Sequence, residues 1–195
     1  MLWLTRTVVH DGTDAWRGSW SRLNSTSVFS SPWFETCRDI ALRPDGSTGL
    51  YDHVVSTGSA TVVAVDEEGL VVVTRQWIYT HGGVQWRLPA GRIETADPDA
   101  ESAARRELQE EAGISAQEWR FLGAINCADS FTNHRDHTFF ATGLTQGTPC
   151  LDPGEADLEI HRIPFKQALS LVMRGEMPHA GSSYGLLVAR TLGLG

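Results

Sequence analysis

Three cysteines in 195 residues, with no CxxC spacing, leave this chain without the material for a disulfide framework or a structural zinc site. Cys37, Cys127 and Cys150 lie far apart and are odd in number, which predicts reduced thiols and a cytoplasmic protein. Basic charge is equally scarce. The 16 Lys and Arg against 24 Asp and Glu give a formal net charge of −8, so the basic footprint of a nucleic-acid or anionic-membrane surface is missing. No apolar run approaches the roughly 18 residues of a membrane span. The opening residues, where Arg6 breaks a short apolar stretch, show no small-residue cleavage pattern, and Asn24-Ser25-Thr26 is then a glycosylation match without secretory context. Internal repeats, charge blocks and low-complexity linkers are absent too. What remains is a chain 41% hydrophobic, enough for a real core in one domain with a small N-terminal addition.

Along the chain, Ser31-Pro32-Trp33-Phe34 and Arg43-Pro44-Asp45-Gly46 predict short strands joined by a turn, an accessory sheet before the core. The β-branched runs 60–65 and 70–74 around Asp66-Glu67-Glu68-Gly69 predict a hairpin buried on both faces. Strands are expected at 119–127, 138–142 and 158–163, and helices at 164–174, stopped by Gly175, and at 182–192. Strands alternating with two or three helices predict an α/β sandwich with a mixed sheet, divided into an N-terminal β segment over 1–55 and a main domain over 56–195. The dispersed Trp16, Trp20, Trp33, Trp77, Trp86 and Trp119 suit a core or a dimer interface better than a base-stacking platform.

The chemistry concentrates between Leu88 and Ile114. Glu107, Glu110 and Glu111 fall at i, i+3 and i+4 of a predicted helix, within an arc of about 100°. Like charges so placed repel, so the cluster is either a solvated acidic face or a site where a divalent cation turns repulsion into coordination. Arg106 can pair with Glu110, Gly113 supplies the helix stop, and Leu88-Pro89-Ala90-Gly91 is a tight loop that exposes backbone. Asp97-Pro98 reads as the helix start, with Asp97 as N-cap.

The run from Arg106 to Ile114 resembles the REUxEExGU half of the Nudix box, U being aliphatic, and Gly91 stands where that box opens. The spacing departs from the family by one residue, because eight residues rather than seven separate Asp97 from Arg106. Weaker motifs from about residue 20 to 190 resemble the ADP-ribose and nucleotide-sugar pyrophosphatase branch. The resemblance implies an α/β/α sandwich and Mg²⁺, with Mn²⁺ as a substitute, held by Glu107, Glu110, Glu111 and the Ala90 carbonyl. It also implies hydrolysis of the pyrophosphate of a nucleoside diphosphate derivative to a nucleoside monophosphate and a sugar phosphate, by a homodimer whose N-terminal strands cross to the partner. Glu110 and Arg106 are expected in the catalytic set. The general base is expected at Glu155, in the acidic loop Asp152-Pro153-Gly154-Glu155-Ala156-Asp157, with Asp157 and Glu159 as alternatives. Trp33, Arg75, Arg87 and Gly91 are the expected substrate contacts, Trp33 by stacking on a base unless it packs in the core.

Arg87 replaces the glutamate that relatives often carry before Leu-Pro-Ala-Gly, so ADP-ribose and other nucleotide sugars stay open as substrates. Triphosphates, dinucleoside polyphosphates and a non-catalytic sensing module of the same fold are the alternatives. Gly181-Ser182-Ser183-Tyr184-Gly185 matches G-x-S-x-G but has no following acid or histidine, and is expected to be a turn opening a helix. His134 and His137 are expected to border the cleft or solvent.

Overall fold

A computed structural model describes residues 19–195; the expectation at Trp16 lies outside the described residues. The chain divides into two compact units, one ending at Val55 and the other Ser56–Gly195. In the first, β1 (Ser21–Ser30), β2 (Glu35–Leu42) and β3 (Thr48–Val55) form an antiparallel meander in the order β1-β2-β3. Its tight turn follows from Asp45, whose carboxylate accepts from the Ser47 amide (2.9 Å), and from Gly46, whose positive φ of 84° needs glycine. Trp33 is 66% exposed in this unit and is not a core residue there. Trp20 and Trp77 are exposed as well, whereas Trp86 and Trp119 pack against core clusters.

The second unit holds two sheets. β4 (Ser59–Ala64), β7 (Ala90–Arg92), β8 (Ile114–Asn126) and β9 (Arg135–Gln146) form a mixed sheet in the order β7-β4-β9-β8, with β4 and β9 parallel. β5 (Leu70–Ile78), β6 (Gly83–Arg87) and β10 (Glu159–Pro164) form an antiparallel sheet, β10-β5-β6. The helices are α1 (Ala100–Ala112), α2 (Phe165–Met173) and α3 (Ala180–Thr191).

The strand alternation explains the layers. Ala60, Val62 and Ala64 of β4 join Ala103, Ala104, Leu108 and Ala112 of α1 in one cluster, while Val63 and Val65 join Ala168 and Leu171 of α2 and Leu186 and Ala189 of α3 in the other. Helices therefore cover both faces of one strand, which gives the expected sandwich. Val62 and Val63 are fully buried, each worth about 1.5–3 kcal/mol of transfer free energy.

The predicted hairpin needs correction. The turn forms, with the Asp66 amide donating to the Leu70 carbonyl (3.0 Å), but pairing ends at a single Val65–Val71 bridge and the strands enter different sheets. Both are apolar on both faces, and each satisfies that by taking its own covering layers. The G-x-S-x-G segment is also corrected, since it lies inside α3 rather than in a turn. A Cβ at Gly181 would strike Asp136 and one at Gly185 would strike Thr138 and Val63, so two glycines one turn apart let α3 settle onto the sheet.

Candidate active site

Helix α1 begins at Asp99, not at Asp97. Asp99 accepts from the Ser102 amide (2.8 Å), and Gly113 closes the helix with a φ of 67° and its amide on Gln109. Asp97 lies before the first turn and has another partner. Arg106 donates to it from Nε (3.2 Å) and Nη2 (3.0 Å), from Nη2 also to the Arg92 carbonyl (2.8 Å), and from Nη1 to Glu107 and Glu110 (2.8 Å each). All of its N–H groups are thereby engaged. Arg106 ties the loop and β7 to the helix, and its donors are all spent there.

The small residues Ala103, Ala104 and Ala112 seat α1 against β4, and that closeness carries two of the glutamates under cover. Glu107 and Glu111 are 7% and 6% exposed, while the Glu110 side chain is 41% exposed. Burial pushes the Glu107 carboxyl up to about 7; Arg106 pulls against it, and Glu110 and Glu155 add to it. Burial, then Glu107 and Glu155, push Glu111 well above the usual carboxylate range, against the Ala90 amide and Arg87. Ala90 N–H donates to Glu111 Oε2 (3.2 Å), and Gly91 lies so close to Glu107 that no side chain fits between them.

The three acids expected for the base are separated. Glu155 faces Glu107 and Glu111 from a short 3₁₀ turn, its Oε2 held by the Asp152 amide (3.0 Å). Asp157 accepts from the Trp77 amide (3.0 Å), and Glu159 is taken by Arg75 (3.2 Å) and His161 (3.2 Å). Arg75 pairs across the ladder with Trp86, and Thr74 with Arg87, so the two arginines lie on opposite faces of that sheet. Arg87 joins the carboxylates; Arg75 does not, and its guanidinium lies over the Trp86 ring. Trp33 belongs to the other unit.

The donor set suits a hard cation: carboxylate oxygens, two of them buried against one another, beside an exposed stretch of backbone. Among the described residues no three His, Cys or acidic side chains converge into a finished metal site. Arg106 draws Glu107 and Glu110 to itself, and a cation has to compete for those oxygens.

A second polar cluster escaped the sequence reading. Asp136 is fully buried (0% exposed) and accepts from Thr61 Oγ1 at 2.9 and 3.0 Å. His179 Nε2 stands 3.5 Å from it, and Arg87 faces both. Burial raises Asp136 to about 6 and lowers His179 to about 4. Arg87 Nε is buried without a hydrogen-bond partner among the described residues. His134, half-buried, is held by Ser56 at Nδ1 and Ser59 at Nε2 (2.9 Å each). The one available signal was His179-x-x-Ser182, the spacing of a helix cap.

The chain is similar to several known proteins. Residues 56–181 match the model of the NUDIX domain. The chain is 29% identical over 174 residues to ADP-ribose pyrophosphatase of Mycobacterium tuberculosis, covering 89% of this chain and 84% of that protein. It is 28% identical over 161 residues to ADP-ribose pyrophosphatase of Bacillus subtilis, covering 82% and 86% respectively. A solved structure of an ADP compounds hydrolase shares the fold at a TM-score of 0.75 and 20% identity, over 89% of this chain and 93% of that one. With the family model spanning well over half of its length, the chain belongs to the Nudix family, as a pyrophosphohydrolase on the branch similar to ADP-ribose pyrophosphatases.

Proposed function

We propose that this protein is a Mg²⁺-dependent hydrolase that cleaves the pyrophosphate of ADP-ribose or a related nucleotide sugar, adding water to give a nucleoside monophosphate and a sugar phosphate. The observation that carries the reading is the buried Glu107–Glu111 pair faced by Glu155, beside Arg87. Two relatives are ADP-ribose pyrophosphatases, which favours ADP-ribose among the diphosphates. Glu107, Glu110, Glu111 and the Ala90 carbonyl hold the cation, with Mn²⁺ as a substitute. The cation supplies neutralisation of phosphate charge and a more acidic water. Glu155 takes the proton of the attacking water, its carboxylate steadied by the Asp152 amide. Arg87 supplies positive charge beside Glu111, where a guanidinium suits a phosphate. Gly91 presents bare backbone to the substrate where the strand lies flush against Glu107, and Glu110 would share a second cation.

The protein is proposed to act as a homodimer through the first unit, where Leu23, Val28, Phe29, Trp33, Phe34 and Leu50 expose apolar surface. Trp33 then serves the base pocket. Three free thiols support a cytoplasmic location. Among the described residues no helix is long and apolar enough to cross a membrane.

The test is hydrolysis of ADP-ribose, nucleotide sugars, triphosphates and dinucleoside polyphosphates with Mg²⁺, read by mass spectrometry. AMP and ribose 5-phosphate are expected from ADP-ribose, with Glu111→Gln and Glu110→Gln losing most turnover at an intact fold. Full activity in both variants overturns the metal assignment. Release of inorganic pyrophosphate moves the substrate to triphosphates, and binding without turnover makes the protein a sensor.

A further inference from the structure

Asp136 is sealed from solvent and the His179 side chain is only 20% exposed, and through Ser182 the two lead to the loop at the site. The Ser182 amide donates to His179 Nδ1 (3.4 Å), so that nitrogen is an acceptor, and the Ser182 hydroxyl 2.9 Å away donates to it as well. The proton of the neutral ring is therefore on Nε2, facing Asp136. Ser182 Oγ has its lone pairs left for the Leu88 amide, which donates to it at 2.9 Å. Leu88 is followed by Pro89, whose carbonyl accepts from Val62 (2.9 Å), and by Ala90, whose amide meets Glu111.

The two ends are insulated. Ser182 and Asp136 are 0% exposed, Thr61 and Ser59 hydrogen-bond the Asp136 carboxylate, and glycine at 181 lets α3 start against it. The arrangement has the members of a Ser-His-Asp triad, but Ser182 is no nucleophile. It is sealed from solvent and its oxygen is committed to a backbone amide. Burial, Arg87 and His134 hold His179 in the neutral form the chain requires.

We propose that Asp136, His179 and Ser182 are positioning residues, a relay that fixes the Leu88–Ala90 loop and through it the carbonyl and amide of Ala90 beside Glu111. A helix cap alone requires only that residue 179 accept from the Ser182 amide. Here the capping ring is oriented from behind by a buried carboxylate and passes that order to a loop of another element. Outer-shell groups of this kind tune what the inner groups do, and their loss commonly costs about 10–100-fold in activity or metal affinity. The catalytic half of this inference rests on the function proposed above; the structural half does not.

The test compares wild type with Ser182→Ala and with His179→Asn, which keeps a good cap but cannot reach Asp136 while holding Ser182. Amide hydrogen exchange at Leu88 is read alongside kcat and KM for ADP-ribose at varied Mg²⁺. Expected are Leu88 exchange at least about tenfold faster in both variants with α1 unchanged, and kcat lower by about 10–100-fold with KM little moved. Leu88 exchange unchanged in His179→Asn overturns the relay, leaving a cap. Faster exchange with unchanged kcat overturns its part in catalysis. If wild type turns over no ADP-ribose, the exchange result still decides the relay.

Discussion

Gly91 lies flat against the carboxylate of Glu107, so near that a Cβ at position 91 would occupy the space of its oxygens. The backbone there is ordinary strand, and the requirement for glycine comes from this contact alone. Gly91→Ala should keep the fold at a cost of about 1–3 kcal/mol, the range of an added core methyl, and should reduce turnover by about 10–100-fold by turning Glu107 away. Near-normal kcat in this variant would mean that the position of Glu107 is not critical.

Arg106 gives a different result when its charge is kept. Its fork serves Asp97, Arg92, Glu107 and Glu110 together, and one ammonium cannot reproduce that geometry. Since the side chain is about a quarter exposed (25%), Arg106→Lys should cost less than the 3–5 kcal/mol of breaking a fully buried pair, about 1–3 kcal/mol. Urea unfolding measures this, and a loss below about 0.5 kcal/mol would reduce the fork to a surface pair.

The main layers were legible because they follow from periodicity. The valine runs marked two core strands, Gly113 marked the end of α1, and the glutamate spacing marked the face that meets the loop. The start of α1 was misread because Asp97 and Asp99 flank the same proline, and only Arg106, nine residues beyond Asp97, decides between them. The hairpin was misread because adjacency in sequence says nothing of which sheet a doubly apolar strand enters. Asp136 was passed over because a buried acid looks like a surface one until Thr61 and His179 are brought to it from distant strands and helices.

Gly185 sets two known effects against each other. Alanine in place of a helix glycine gains about 1 kcal/mol of propensity. At this position the new methyl would strike Thr138 Cγ2 and Val63 Cγ2, atoms of two fully buried residues on adjacent strands that have nowhere to move. Overpacking of about 1–3 kcal/mol should win, so Gly185→Ala is expected to lower Tm. A raised Tm would show that α3 can lift from the sheet at little cost.

The Asp136–His179 pair predicts opposite pH slopes for two variants. Asp136 is raised to about 6, so the folded protein holds a proton that the unfolded chain has already lost, and its contribution to stability falls as pH rises from about 4 to 6. His179 is lowered to about 4, so the unfolded chain holds the extra proton, and its contribution rises with pH from about 4 to 6.5. In the wild type these trends oppose one another at about 1.4 kcal/mol per pH unit each. Asp136→Asn removes the falling trend, and its stability relative to wild type should improve by about 2–3 kcal/mol between pH 4 and 6. His179→Asn removes the rising trend, and its relative stability should decline by a similar amount between pH 4 and 6.5. Glu107 and Glu111 are common to all three proteins and drop out of the differences. Urea unfolding at pH 4.5 and 6.5 reads both, and slopes of the same sign would show that the two groups do not titrate as separate buried partners.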